Sequence, residues 1–334
     1  MASPPTTSAP FSVNGKTAII TGAGSGIGLC FAELLLSKNC NVVIADLSLR
    51  PEAQSLVSKY SDASKSPRAV FVKTDVREWS ALQRMFDETL RLFGDFDILC
   101  PGAGIYEPHW SNFWHPPGHP EARDPADGGR YALVDINITH PIRATQLALS
   151  YWLHPRPVSV TRGDGKTATV TPAKASPLNP KRVVHISSVA GQSPSLANPM
   201  YIASKHAISG FTRCLGPLEP ATGIRVNAVA PGVIKTPLWT EHPEKMVYTE
   251  GEDDQGWVDP SEVATAMLRL LEDEVLGLGA VLEVGKGNTR VVTAFNDPGP
   301  NRDPKKGLVP KHVAKGLENV FGWLAEDGWG RPKL

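Results

Sequence analysis

Tyr201 and Lys205 stand four residues apart in MYIASKHAISGFTRCLG. On a helix that spacing puts both side chains on one face. A phenol has an ordinary pKa of about 10 and is a poor base at neutral pH. A cation held close favours the phenolate and lowers that value, which would make Tyr201 a usable proton donor and acceptor. Ser188 lies upstream, at the end of the run VVHISS. Its hydroxyl could hydrogen-bond the oxygen of an alcohol or a carbonyl. A Tyr-x-x-x-Lys pair is common on surface helices, so its weight depends on its company. His206, beside Lys205, reads as a helix-surface residue.

That company begins near the N-terminus, where residues 21–28 read Thr-Gly-Ala-Gly-Ser-Gly-Ile-Gly. Gly22, Gly24, Ser25, Gly26, Ile27 and Gly28 follow the strand-like run KTAII and open the helix-like run GLCFAELLL. This is the context in which a glycine loop cradles a pyrophosphate, with the helix N-terminus offering free N–H donors to the anion. Asp46 ends the next apolar run, NVVIAD. A carboxylate there accepts both ribose hydroxyls of an adenosine and repels a 2′-phosphate. Ser25 is neutral, and Arg50 is the nearest basic residue. NAD is the expected cofactor rather than NADP.

The elements that must hold these residues alternate. Strands are expected at Lys16–Thr21, Asn41–Asp46, Ala69–Thr74, Phe96–Cys100, Arg182–Ser187, Ile224–Ala230 and Ala280–Val284. Their near-continuous apolar runs suit strands buried on both faces of a parallel sheet. Helix-period segments separate them; Ile27, Cys30, Phe31, Leu34 and Leu35 share one face of the first. The fold class is therefore α/β, a Rossmann-type doubly wound parallel sheet of about seven strands in a single domain. That domain is expected over 14–295, after a flexible lead at 1–13 and before a C-terminal extension at 296–334. Segments 107–129 and 155–180 read as loop insertions, as does 296–311, and Asp164-Gly165 marks a candidate hairpin turn in the second.

Composition narrows the class. The chain has 334 residues, 41% of them hydrophobic, enough for a real core. Lys plus Arg and Asp plus Glu are 34 each, so a nucleic-acid or anionic-lipid footprint is not expected. No run of 18 apolar residues would make a membrane span. Cys30, Cys40, Cys100 and Cys214 lack metal-ligand spacing, and free thiols are expected. The Pro/Ser/Thr-rich start lacks the pattern of a secretory signal, so a cytoplasmic location is expected. The terminal Pro332-Lys333-Leu334 is similar to the peroxisomal Ser-Lys-Leu address except for its proline.

Taken in order, these motifs resemble the short-chain dehydrogenases/reductases, over roughly residues 14 to 290. The resemblance adds Asp75-Val76 as the adenine contact. It places Pro101-Gly102-Ala103-Gly104 where the family has Asn-Asn-Ala-Gly, and Asn137 as the helix asparagine. The segment Asn227–Gly232 would line the nicotinamide, with Pro231, Gly232, Val233 and Ile234 beside the cofactor and Thr236 on its carboxamide. NGKTAIITGAGSGIG, YIASKHAISGFTR and VNAVAPGVIKT are similar, within the family, to the NAD-dependent 15-hydroxyprostaglandin dehydrogenase group.

The resemblance implies a catalytic set of Asn137, Ser188, Tyr201 and Lys205. Tyr201 exchanges the alcohol proton and Ser188 orients the reacting oxygen. Lys205 binds the nicotinamide ribose and lowers the Tyr201 pKa, while Asn137 holds a water that links Lys205 to solvent. Hydride passes directly between nicotinamide and substrate, with no metal required. Pro101-Gly102 departs from the family pattern and removes side chains that brace the central strand. The segment from Ile105 to Tyr131 is long, and its Trp110, Phe113, Trp114, His109 and His115 suit either a cleft roof or a surface insertion. Leu238, Trp239, Met246, Tyr248 and Trp257 suggest an apolar or aromatic secondary alcohol or ketone as substrate. The family's pairing helices, here with Leu147, Leu149, Ile208 and Phe211, imply a homodimer or homotetramer. Two other functions fit less closely: an NADPH-dependent ketoreductase of a biosynthetic, secondary-metabolic pathway, and a dinucleotide-sensing scaffold that has no need of Tyr201 or Lys205.

Overall fold

The apolar runs form strands with ends shifted by up to two residues from expectation. The computed structural model describes residues 10–161, 165–240, 257–293, 313–327 and 329. The strands are β1 (Thr17–Thr21), β2 (Asn41–Asp46), β3 (Ala69–Lys73), β4 (Ile98–Pro101), β5 (Val158–Thr161), β6 (Thr167–Val170), β7 (Lys181–Ile186), β8 (Ile224–Pro231), β9 (Val281–Gly285) and β10 (Asn288–Val291). Eight of them form one sheet in the order β10-β9-β8-β7-β4-β1-β2-β3. Seven are parallel, and β10 adds an antiparallel edge to β9. The eighth strand escaped the sequence reading because Asn288–Val291 is short and polar. β1 pairs with β2 on one side and β4 on the other, so the strand order reverses at β1. In such sheets the ligand crevice lies at that reversal, beyond the carboxyl ends of the strands.

Each helix begins and ends for local reasons. α1 (Gly26–Ser37) opens in the glycine loop, and Asn39 closes it at φ 62. α2 (Pro51–Lys59) starts on a proline, which suits a first helical turn. α3 (Trp79–Phe93) stops at Gly94, in the left-handed conformation that glycine favours. α4 (Ala132–Val134) runs into a π-helical turn, Asp135–Thr139, and then α5 (His140–Leu153). Pro141 explains the π turn. It has no N–H, so the i,i+4 bond to the Asn137 carbonyl cannot form, and His140 N–H reaches the Asp135 carbonyl five residues back. α6 (Pro199–Cys214) carries Tyr201 and Lys205, and α7 (Leu218–Thr222) and α8 (Pro237–Thr240) are short. α9 (Pro260–Glu272) has a complete capping box from Asp259 and Glu262.

Two hydrophobic layers sandwich the sheet. Phe31, Leu35, Met267 and Leu270 of α1 and α9 pack on one face. Met85, Phe86, Leu147 and Trp152 of α3 and α5 pack on the other. At the sheet's opposite end from the crevice, the fully buried Lys181 ammonium joins β7 to β4 through Asp95 at 2.8 Å and Asp97 at 2.9 Å. A further helix, Val313–Ala325, docks beside α5, with the Leu324 carbonyl at 2.8 Å from His154 Nε2. Leu147, Leu149 and Ile208 are buried within the chain, so they do not supply a subunit surface. The loop expected at 296–311 lies outside the described residues.

The 155–180 insertion contains an antiparallel β5–β6 hairpin that leans its Val160 and Val170 on Gly94. Its returning arm is not decoration. Ala175 is buried in the core, and its N–H bonds the Trp152 carbonyl at 2.8 Å. The hairpin can therefore be removed only without this arm. A Gly-Ser linker in place of Val158–Val170 should preserve NADH binding. Extending it through Asn179 should destabilise the fold by about 1–3 kcal/mol in urea denaturation. Equal stability of the two deletions would contradict this.

Candidate active site

A cleft of about 670 Å³ opens at the carboxyl ends of the parallel strands. Gly22, Ser25, Gly26, Ile27 and Gly28 line its floor, with Asp46 and Asp75-Val76 toward one end. Gly102, Ala103, Gly104, Ser188, Tyr201 and Lys205 line it too, with Pro231, Gly232, Ile234 and Thr236. Of the residues expected at the cofactor, Gly24 and Val233 do not line the cleft. Gly24 lies beneath, donating its N–H to Asp46 Oδ2 at 2.8 Å. Val233 is drawn aside, its carbonyl accepting Val258 N–H at 3.0 Å.

The loop geometry fits a dinucleotide. Gly22 sits at φ +72, and a Cβ there would come within 2.6 Å of Ala103 Cα. Only glycine lets β1 and β4 deliver their loops this close together. The Ser25 side chain makes no capping bond to α1, so it does not block the helix N-terminus. Asp46 is fixed by the Gly24 and Leu47 N–H groups, the latter at 2.7 Å. Asp75 is gripped by Arg77, Nη2 to Oδ2 at 2.6 Å, which holds its carboxyl below the usual range. Arg50 lines the same cleft.

The four residues of the implied catalytic set come together, with two differences from expectation. Lys205 Nζ donates to the Ile186 carbonyl at 2.9 Å and lies 5.4 Å from the centre of the Tyr201 ring. Burial lowers the Lys205 ammonium to about 8 and raises the Tyr201 phenol to about 12; a hydrogen bond with Ser188 opposes the second shift. With the chain's own groups alone, then, Lys205 does not bring the phenol below its ordinary value. Desolvation outweighs the opposing Ser188 hydrogen bond. Asn137 also differs. Its Oδ1 accepts Ile105 N–H at 2.9 Å, and its Nδ2 donates to the Ile105 carbonyl at 2.9 Å and to Ser204 Oγ at 3.2 Å. Both side-chain donors are used, so the side chain is a brace. Pro141, lacking an N–H, removes the α-helical bond to the Asn137 carbonyl.

Several residues that sequence reading missed complete the site. Thr21 Oγ1 accepts the Ala103 N–H at 3.2 Å and meets His140 Nε2 at 3.0 Å. His140 Nδ1 faces the Ile136 carbonyl at 3.1 Å, so it carries the ring proton and Nε2 accepts from Thr21. This buried chain braces the end of β4, where Pro101-Gly102 replaces the family's asparagines. Trp110, Arg123 and Asp124 from the long insertion line the cleft, so part of that segment forms cleft wall. Phe113 and Trp114 are exposed, and Trp114 Nε1 ties the insertion to the Leu196 carbonyl at 2.9 Å. His109, His115 and Glu121 place donor atoms within 4.8 Å of one another. His109 Nδ1 already hydrogen-bonds Glu121 Oε2 at 2.8 Å, both side chains about half exposed, which accounts for the cluster. Leu238 lines the cleft. Met246 and Tyr248 lie outside the described residues, as does the side chain of Trp239.

Comparison with known proteins agrees with this geometry. The short chain dehydrogenase family model matches residues 16–171 and 167–247. The chain is 29% identical over 285 residues to 15-hydroxyprostaglandin dehydrogenase [NAD(+)] of Rattus norvegicus, covering 81% of this chain and 91% of that one. It is 30% identical over 279 residues to cis-4-hydroxycyclohexanecarboxylate dehydrogenase of Sinomonas cyclohexanicum, covering 83% and 97%. Its fold matches a solved 3-ketoacyl-(acyl-carrier-protein) reductase from Brucella melitensis complexed with NADH. The TM-score is 0.62, at 21% identity over 83% of this chain and 99% of that one.

The buried imidazole sets a pH dependence. Burial depresses His140 from 6.5 to about 4. A depressed folded value means that unfolding takes up a proton, so stability is full above 6.5 and falls as pH drops toward 4. His140→Gln should shallow that decline in urea denaturation across the interval. An unchanged slope would mean that His140 is not held neutral.

Proposed function

The chain belongs to the short-chain dehydrogenase family, whose members oxidise alcohols or reduce ketones, and from that premise we propose that it uses NAD(H) on an apolar or aromatic secondary alcohol or ketone. The observation that carries the cofactor half is Asp46. Its carboxylate is held in the cleft by two backbone N–H groups, where it can receive ribose hydroxyls and would repel a 2′-phosphate. The NAD-dependent relative supports the same choice. The NADPH alternative draws on Arg50 and Arg77, which line the same cleft; Arg77 is paired with Asp75. Leu238 and Trp110 support the apolar substrate class.

A bound NAD(H) supplies the hydride acceptor or donor. The chain supplies position and proton transfer. Ser188 Oγ holds the reacting oxygen beside the Tyr201 phenol. Tyr201 takes the alcohol proton in oxidation and returns it in reduction. Lys205, fixed by the Ile186 carbonyl, reaches the nicotinamide ribose and passes protons onward to a water on the Asn137 carbonyl. A phenol near 12 stays protonated at neutral pH and cannot accept a proton, so the positive charge of an oxidised nicotinamide is what would bring it into range. We read the protein as a homo-oligomer on family likeness. Light scattering at micromolar concentration tests that, and a monomeric mass would contradict it.

NADH absorbance followed across a panel of apolar and aromatic secondary alcohols tests the activity; no formation with any of them would contradict it. Tyr201→Phe should cut turnover by about 100-fold or more while NADH fluorescence titration stays unchanged. Lys205→Met should damage both. Asp46→Ala should shift preference toward NADP by about tenfold, the ratio that ~1.4 kcal/mol of relieved repulsion gives. Wild-type protein that binds NADPH more tightly than NADH would overturn the Asp46 reading.

A further inference from the structure

The helix that carries the acid/base pair does not cap itself. Asn198 stands at its N-cap, yet makes no side-chain capping bond. Its Nδ2 is turned away to Tyr106 Oη at 2.5 Å. Pro199 has no N–H, so the orphan donors of the first turn begin at Met200 and Tyr201. The Tyr201 donor is taken by one side chain from the long insertion: Glu107 Oε2 accepts its N–H at 2.8 Å. Its Oε1 accepts Phe113 N–H at 3.2 Å, and Asn112 Nδ2 holds its carbonyl at 3.1 Å.

Glu107 is 5% exposed and has φ +28, a conformation that non-glycine residues rarely adopt. A strained backbone that sends a carboxylate inward is over-determined by what the side chain holds. Tyr106, its neighbour, places its ring edge-on to the Tyr201 ring at 4.5 Å. Residues 106 and 107 thus grip Tyr201 from both ends, one at the ring and one at the backbone amide. We propose that Glu107 is a positioning residue for catalysis, fixing the first turn of α6 so that the Tyr201 phenol stands at the reacting oxygen.

A carboxylate at a helix N-terminus also adds ordinary stability. The two roles separate in kinetics. Loss of a cap alone lowers stability and leaves kcat intact in the folded fraction. Loss of position lowers kcat, because a displacement of about 1 Å at a reacting group costs about 100-fold. Most of the cofactor-side lining comes from β1, β2, β4, β8 and their loops, and Lys205 is anchored by the Ile186 carbonyl rather than by the first turn of α6, so NADH affinity should not follow.

The test measures kcat on the panel alcohol that the wild-type chain oxidises fastest, with NADH affinity and peptide hydrogen exchange alongside. Glu107→Ala should lower kcat by about 100-fold with unchanged NADH affinity. Exchange should quicken in the peptide spanning residues 199–205 and stay unchanged in α9. Glu107→Gln keeps the length and one acceptor, and should lose kcat by a smaller factor. Wild-type kcat in a folded Glu107→Ala overturns the proposal, as does a kcat loss matched by lost NADH affinity. If Glu107→Ala does not fold, Glu107→Gln decides, and wild-type kcat in it overturns the proposal. The inference rests on Tyr201 as the acid/base. Wild-type turnover in Tyr201→Phe would overturn both, whereas a dead Tyr201→Phe beside a fully active Glu107→Ala overturns the role of Glu107 alone.

Discussion

Burial of Tyr201 beside Lys205 is the constraint around which the rest of the site is arranged. Taking a phenol and an ammonium out of water disfavours the charged form of each. Tyr201 is pushed up to about 12 and Lys205 down to about 8. The pair is therefore not pre-ionised by its own proximity. Its value lies in the burial of both side chains, beside which a charge brought close is little screened by solvent. The Ile186 carbonyl gives the ammonium its one described hydrogen bond, and the strand that provides it also delivers Ser188.

The fold keeps that pair in register from three directions. From below, Ser187 Oγ at the end of β7 donates to the Lys205 carbonyl at 3.0 Å and meets Ser209 at 2.7 Å. From the side, the π turn presses Asn137 against Ile105 and Ser204, and Ser204 in turn donates to the Tyr201 carbonyl at 2.7 Å. From above, the insertion supplies Tyr106 and Glu107. The Thr21–His140 contact ties the π turn to the glycine loop, so the proton-transfer side and the dinucleotide side share one buried brace.

Much of this was legible in the chain. Parallel strands announce themselves as short apolar runs because both faces are covered, and TGAGSGIG reads through because its glycines answer a backbone demand. Tyr201, Lys205 and Ser188 were found by spacing and order. What was hidden depends on partners distant in sequence. Nothing around Glu107 marks it as the acceptor for a helix that begins 92 residues later at Pro199. His140 looks like any helix histidine until Thr21 is seen beside it. Pro141 did carry a signal, a proline directly after the Asn137 turn, that predicts a broken hydrogen-bond register. The direction of the Tyr201 shift was hidden for a general reason: sequence shows which charges are neighbours but not how much water they have lost. The Leu147, Leu149 and Ile208 pattern misled in the same way, since apolar helix faces are consumed by the core as readily as by a partner.

The ionisation of Tyr201 itself tests this account most directly. An ultraviolet difference titration of the wild-type chain against Tyr201→Phe isolates that one phenol, with and without saturating NAD. The expected result is a phenol that stays protonated through about pH 10 when the chain's own groups act alone, and ionises at lower pH once NAD is bound. Ionisation below about pH 10 without NAD, or a titration that NAD does not move, would contradict it.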